Sequence, residues 1–543
     1  MERREEYNPD IHRFQSEWSM LKNFTEKYDA FFSRREICRG LFWLILAMGV
    51  FARAYLFGAV PAGINQDEAL AGYEAWSLMN YGMDTAGYHN PVYLTAWGSG
   101  MNALETYLMM PFIAVFGLKP WVIRLPQLIV ACLSLWVTYL FVRRTVSERA
   151  GLLAMFMLAV CPWHIIMSRW GLESNLAPGF LLFGLYFFTA ALDNPRLLPV
   201  SAIMYGLSLY AYATVWIYVP VILAVQLIYC MAYKKIEFTR HLALFAVILF
   251  VMAVPLLLFL LVNYGYIDEI RTPLFSVPKL LYMRTGEISL DEKARKLEIF
   301  KTIFIEENDG MIWNSPKKYG LFYHITMPLA LVGLACCIAK LIAAARRREF
   351  CPAALLPVQL IVCLPQLILL KGNVNKFNVL YIPLIILAAA GVYYLSRLSW
   401  KPVLGAVAAV YLVLFAGFER YYFTEYGQDE GLLEHFSYGL EDALDFACEK
   451  GDIIYLDQNE FYTKVLFYTK TPVTTFRDTV EYLYYPAAYL HALSFDRFRF
   501  WNDPYNPEDN AAYIIPRQNS LGILPESGFE FASFGEYIVA YKD

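Results

Sequence analysis

Asp67 and Glu68 stand side by side in Pro61-Ala-Gly-Ile-Asn-Gln-Asp-Glu-Ala-Leu-Ala-Gly-Tyr-Glu-Ala-Trp76, directly after the first long apolar segment. A carboxylate held where water meets lipid suits general-base chemistry on a hydroxyl. The same pair also suits a plainer task, capping and solubilising a short helix. Pro61 and Gly63 break the preceding segment, and Asn65 or Asp67 can cap the next one. Ala69, Tyr73 and Trp76 recur at i, i+4 and i+7, which predicts a helix with one face on apolar material.

Other polar side chains fall at the same ends of apolar segments. Arg53 closes the first segment, and Asn102 ends a Gly98-Ser-Gly-Met loop that leads into Glu105. Arg124 opens the second segment. Arg169 and Glu173 share one short turn, while Lys371 and Lys376 flank Asn373 and Asn375 between two late segments. Charges at membrane depth are costly and usually face a bundle interior or a cavity. Their gathering on one side predicts a polar cavity at one leaflet, with Asp67, Glu68 and Glu173 as acids. Arg53, Asn102, Arg124, Arg169, Lys371 and Lys376 are its candidate substrate contacts. Each has a competing role: Arg53 and Arg124 can snorkel to headgroups, Arg169 and Glu173 can pair at i,i+4, and the lysines can anchor the interface. His89, His164 and His324 read as structural, and no pair has metal-ligand spacing.

The elements that must position these groups follow from composition. The 543 residues are 58% hydrophobic and only 17% charged, against roughly 45–50% and about 25% in soluble domains. This is a mainly α, polytopic membrane protein, and a net charge of −4 offers nothing to nucleic acid. A span needs about 20 apolar residues. Candidates are 38–58, 121–142, 149–167, 175–192, 198–213, 216–233, 241–262, 321–341, 352–370, 378–396 and 402–419, about eleven in all. Residues 103–117 are too short and read as an interfacial helix. Of nine cysteines only Cys448 lies in the polar C-terminal part, and all read as structural.

Positive charges set the orientation. Residues 1–37 carry Arg3, Arg4, Lys22, Lys27, Arg34 and Arg35, with no cleavable leader pattern. Arg143, Arg144, Arg149, Lys234, Lys235 and Arg346 then fall in loops on that same side, as the positive-inside rule expects of a cytoplasmic N-terminus. The large loops 59–120 and 263–320 and the tail 424–543 are then outside. The sequon-like Asn23-Phe-Thr25 lies inside, which leans towards a bacterial plasma membrane. In the tail, 453–456 and 513–515 read as strands, 441–450 as a helix and 529–541 as a hairpin, so a small α/β domain is expected.

Taken together, Asn65-Gln-Asp67-Glu68-Ala, Tyr81-Gly, Pro91-Val-Tyr, Trp121-x-x-Arg124-Leu-Pro126 and the Arg169-x-x-x-Glu173 turn resemble bacterial membrane glycosyltransferases of the GT-C fold. The resemblance is to the protein O-mannosyltransferase and aminoarabinose (lipid A) transferase group, glycosyltransferase family 39. It covers about the first 400 residues in topology and is best over 60–180. It implies transfer of a sugar from a polyprenyl-phosphate carrier to an acceptor hydroxyl outside the cytoplasm. The acceptor class stays open among protein, lipid and cell-envelope polymer. Asp67 matches the family's first-loop aspartate, expected near the acceptor hydroxyl as base or acceptor positioner. Glu173 matches a second acid that is often aspartate in relatives. Lys376-Phe-Asn-Val-Leu-Tyr381-Ile-Pro383 resembles a segment that approaches the lipid phosphate. Residues 308–320 resemble a family segment with no assigned role, and the tail matches no motif.

The implied reaction needs no bound cofactor, and a divalent cation is compatible but not required. In a helix Glu68 projects about 100° from Asp67, which predicts a separate task for it. A transporter or flippase without transferase activity is the alternative, and a non-catalytic scaffold a third. A transporter is expected to place its key ionisable groups near mid-membrane rather than at one leaflet.

Overall fold

The computed structural model describes residues 34–283, 298–369, 372–398, 402–501, 507–508 and 510–542. Among them, nine helices are long and apolar enough to cross a membrane, from Arg35–Ala54 to Val403–Gln428. At 1.5 Å per residue the first, of 20 residues, measures about 30 Å, the thickness of a hydrocarbon core. Two expected spans take a shorter form. The 149–167 segment is a helix over Glu148–Ala159, capped by Ser147, and a separate turn over Pro162–Ile166. Pro162 cannot continue the first helix and starts the second. The 198–213 segment is the helix Leu198–Ala211, which stops at extended Tyr212. Leu104–Phe116 forms the short apolar helix expected at the interface.

The C-terminal part carries a seven-stranded mixed sheet. Its order is Glu530–Phe534, Tyr537–Tyr541, Ala511–Pro516, Ile453–Asp457, Phe498–Trp501, Ala492–Phe495 and Glu481–Tyr482. The central strand Ile453–Asp457 pairs in parallel with both neighbours, and the chain ends in the expected antiparallel hairpin. Helix Leu440–Lys450 covers the sheet with its apolar side.

This domain shares its core with the loop that carries Asp67. Ile64, Leu70 and Tyr73 belong to one buried cluster with Leu444, Leu466 and Phe500. Tyr73 Oη donates to Thr471 O at 2.6 Å. A β-carbon at Gly72 would come 2.8 Å from Phe467, so only glycine lets the two helices approach this closely. Burial thus fixes the Asp67 helix between the membrane bundle and the C-terminal domain.

Candidate active site

The helix Gln66–Tyr81 begins with a capping box. Asn65 is extended, its Oδ1 accepts from Asp67 N at 2.8 Å, and Glu68 Oε1 accepts from Asn65 N at 3.0 Å. The two adjacent acids then diverge. Glu68 is fully buried and accepts from Arg124 Nη2 at 2.5 Å, Arg124 Nε at 3.0 Å and Gly171 N at 2.7 Å. Arg124 also donates to Pro61 O and Gly63 O, both at 2.8 Å. Asp67 instead faces a cavity of about 1220 Å³, where Trp97 Nε1 donates to its Oδ1 at 3.3 Å.

Two more of the expected residues line that cavity, Glu173 and Lys376. Glu173 opens the helix Glu173–Ala191, and its Oε2 accepts from both the main-chain N–H and the side-chain amide of Asn102, the latter at 2.9 Å. Asn102 is buried and acts on Glu173 rather than from the cavity wall.

Lys376 lies in the turn Val374–Leu380. Tyr381 is buried and donates to Val374 O at 2.8 Å, which fixes that turn from behind. Asp309 fixes it from the front, accepting from Val374 N at 3.0 Å and Asn314 Nδ2 at 2.7 Å. A β-carbon at Gly372 would come 2.3 Å from Lys376 Cδ, so the lysine stem lies across a glycine. The segment 308–316 is thereby a wall of the site, contributing Asp309, Met311 and Trp313.

Three expected arginine contacts lie outside the cavity lining. Arg53 donates to Gly49 O, Ala159 O and Leu158 O and meets His164 Nδ1 at 2.6 Å. Arg169 donates to Arg53 O, Leu56 O and Val60 O at 2.7–2.9 Å, closing the end of the first helix. Arg124 is held as above. All three are completely buried, and their bonds run to main-chain carbonyls, with His164 beside Arg53 and Glu68 beside Arg124. Lys371 falls outside the described residues.

Glu105 and His435 are among the cavity residues that sequence reasoning left without a role. Glu105 is buried on the short apolar helix, where Gln127 Nε2 donates to its Oε1 at 3.2 Å. Burial pushes its carboxyl up to about 8, opposed by the Gln127 bond and assisted by the charges of Glu173, Glu68 and Asp67. His435, in the C-terminal part, stacks flat on Trp313 with centroids 3.6 Å apart, and its Nε2 is 2.7 Å from Asn65 Nδ2. Asn65 Oδ1 is already engaged by Asp67 N, so the amide donates and the imidazole accepts. Burial, then Lys464, lowers His435 to about 3, which keeps it neutral for this bond. The only sequence sign of Glu105 was its place after the glycine loop.

Among the described residues no group of three or more His, Cys, Asp and Glu side chains could hold a metal ion. The arrangement offers carboxylates for a hydroxyl proton and a lysine for an anion, around a space large enough for a sugar and its carrier phosphate.

A family model for dolichyl-phosphate-mannose-protein mannosyltransferase matches residues 104–259. No curated protein matches the chain by sequence. Among solved structures the chain is similar to ArnT from Cupriavidus metallidurans in the apo state. Identity is 15% and the TM-score 0.52, over 92% of this chain and 97% of that one. The same ArnT bound to undecaprenyl phosphate is similar at 17% identity and a TM-score of 0.50, over 92% and 98%. The fold is therefore the GT-C membrane bundle that the sequence resemblance implied, joined to the C-terminal sheet domain expected from the tail's own strand and helix pattern.

Proposed function

We propose that this protein is an integral-membrane glycosyltransferase that moves a sugar from a polyprenyl-phosphate carrier to an acceptor hydroxyl at the outer leaflet. The observation that carries the reading is that Asp67, Glu173 and Lys376 line one cavity, although 309 positions separate the first from the last (376 − 67). Asp67 takes the acceptor proton as the new bond forms to the sugar's anomeric carbon. The carbon–oxygen bond to phosphate breaks on the opposite face, and its electron pair leaves with the phosphate. One displacement of this kind inverts the centre. Lys376 meets the charge that develops on the phosphate. Glu173, oriented by Asn102, hydrogen-bonds the sugar or the acceptor. The matched fold in ArnT, which has been seen with undecaprenyl phosphate, supports a polyprenyl phosphate as carrier here.

In this reading the N-terminus is cytoplasmic, and the bundle (38–423) lies in a bacterial plasma membrane. The C-terminal domain (424–543) roofs the cavity from outside. The test is Asp67→Asn in purified, reconstituted protein given a polyprenyl-phosphate sugar. Loss of the base is expected to lower transfer by about 10²–10⁴-fold with the melting temperature unchanged. Transfer at the parental rate by a folded variant overturns the assignment.

A further inference from the structure

The C-terminal domain presents an uncharged, tyrosine-rich loop whose Tyr489 lines the cavity. From Tyr482 to Leu490 (Tyr-Leu-Tyr-Tyr-Pro-Ala-Ala-Tyr-Leu) there is no charged side chain. Tyr484, Tyr485 and Tyr489 are each at least half exposed. Ordinary solvated loops are polar, and contiguous exposed apolar surface marks an interaction site.

The position of the loop identifies what it meets. The membrane helix Arg240–Asn263 ends at Asn263. Asn263 Nδ2 donates to Pro278 O at 3.0 Å and its Oδ1 accepts from Leu280 N at 2.8 Å, so segment 278–282 is tied to the span's end. Tyr282 N donates to Gly98 O at 2.9 Å. Gly98 in turn bridges to Tyr489, and Leu490 N donates to Trp97 O at 2.8 Å. At Gly98, φ is +104° and a β-carbon would lie 2.5 Å from Ala487 O and 3.3 Å from Leu281, so the two loops touch through a glycine. A hydrogen-bonded path thus runs from the end of a membrane span to the tyrosine loop. Tyr264 and Tyr266, just beyond the end of the span, and Tyr282 on the path are also more than half exposed.

Tyrosine is enriched where membrane meets water, because its ring is apolar and its hydroxyl polar. We propose that Tyr484 and Tyr485, continuing the belt of Tyr264, Tyr266 and Tyr282, seat the C-terminal domain on the lipid headgroup layer at the cavity's rim. The domain is then a membrane-resting roof, and the mouth beside Tyr489 opens at headgroup level. The proposal depends on the membrane spans and not on the reaction.

The full chain is reconstituted in nanodiscs of phosphatidylethanolamine and phosphatidylglycerol that carry a trace of phosphatidylethanolamine with a diazirine on its headgroup. After illumination, labelled peptides are mapped by mass spectrometry. Label is expected in 482–490 and 281–282 as well as in 264–267. It is not expected at the Asp496–Arg497 turn, beyond the far end of strand Ala492–Phe495. The Tyr484→Ser, Tyr485→Ser double variant, altered only at exposed positions, is expected to keep its melting temperature and lose label from 482–490. Label in 264–267 with none in 482–490 overturns the proposal. So does a double variant that keeps parental labelling. If 482–490 stays unlabelled and the double variant raises KM for a glycan acceptor alone, the loop is a carbohydrate platform and the lipid reading fails.

Discussion

Asn65 donates from Nδ2 to His435 Nε2 at 2.7 Å while its Oδ1 accepts from Asp67 N, so a residue of the C-terminal part holds the cap of the helix that carries Asp67. Ile64 N also donates to Phe436 O at 2.5 Å. The domain therefore sets where Asp67 sits. His435→Ala is expected to cost about 1 kcal/mol of stability for the hydrogen bond and about 0.5–1.5 kcal/mol more for the lost stacking on Trp313. It is also expected to lower kcat by up to about 10²-fold, the effect of displacing a reacting group by roughly 1 Å. His435→Gln, which can still accept from Asn65, restores most of the rate. Kinetics of both variants at saturating donor check this, and equal rates for the two rule out positioning through the bond.

Glu68 and Arg124 form the opposite case. Their paired charges are wholly buried, and main-chain groups of 61–63 and 171 complete their bonds. Removing one partner of such a pair leaves a buried charge uncompensated, at about 3–5 kcal/mol. Glu68→Gln and Arg124→Gln are therefore expected to lower the melting temperature and the yield of folded protein. Asp67→Asn is not. Thermal unfolding of the three side by side separates the roles. A Glu68→Gln protein with normal stability and no activity would return Glu68 to the reaction itself.

Lys376 is placed by what grips its turn. Lys376→Gln removes the cation facing the cavity. A charge-assisted bond is worth about 1.5–3 kcal/mol, so kcat/KM for the donor is expected to fall by about 10–100-fold. Asp309→Ala leaves the lysine but frees Val374 N and Asn314 Nδ2, and is expected to give a smaller loss, mainly in KM. Steady-state kinetics over a donor series tests the order. A larger loss from Asp309→Ala than from Lys376→Gln refutes it.

The sequence carried the capped start of the Asp67 helix, because a capping box is local chemistry within four residues. It also carried the divergence of Asp67 from Glu68, which follows from helix geometry, and most of the spans. The task of the arginines was hidden. The cost of burying charge tells that Arg53, Arg124 and Arg169 need partners, yet main-chain carbonyls and a substrate phosphate satisfy that need equally well. Glu105 was masked by the apolar helix around it. His435 lies 370 positions from Asn65, and no local pattern reports a contact made only when the tail folds over the loop.

Glu105 yields a pH test with a definite sign. Its carboxyl stands at about 8 in the folded protein, against a usual 4.5, chiefly through burial and then through Glu173, Glu68 and Asp67. Between those values the native state keeps a proton that the unfolded chain has released, so stability falls as pH rises from about 4.5 to about 8 and levels off above. Glutamine imitates the protonated acid. Glu105→Gln is therefore expected to match the parent near pH 5 and to melt higher than the parent at pH 8 and above. Activity, in the proposed reaction, is expected to follow the same proton. Ionised Glu105 adds a fourth negative charge beside Asp67, Glu68 and Glu173 and disfavours binding of a phosphate carrier, so the parent's rate declines through pH 8. In Glu105→Gln that alkaline limb moves upward. Melting and rate profiles from pH 5 to pH 9 measure both effects, and coincident curves for parent and variant would show that Glu105 is already ionised at neutral pH.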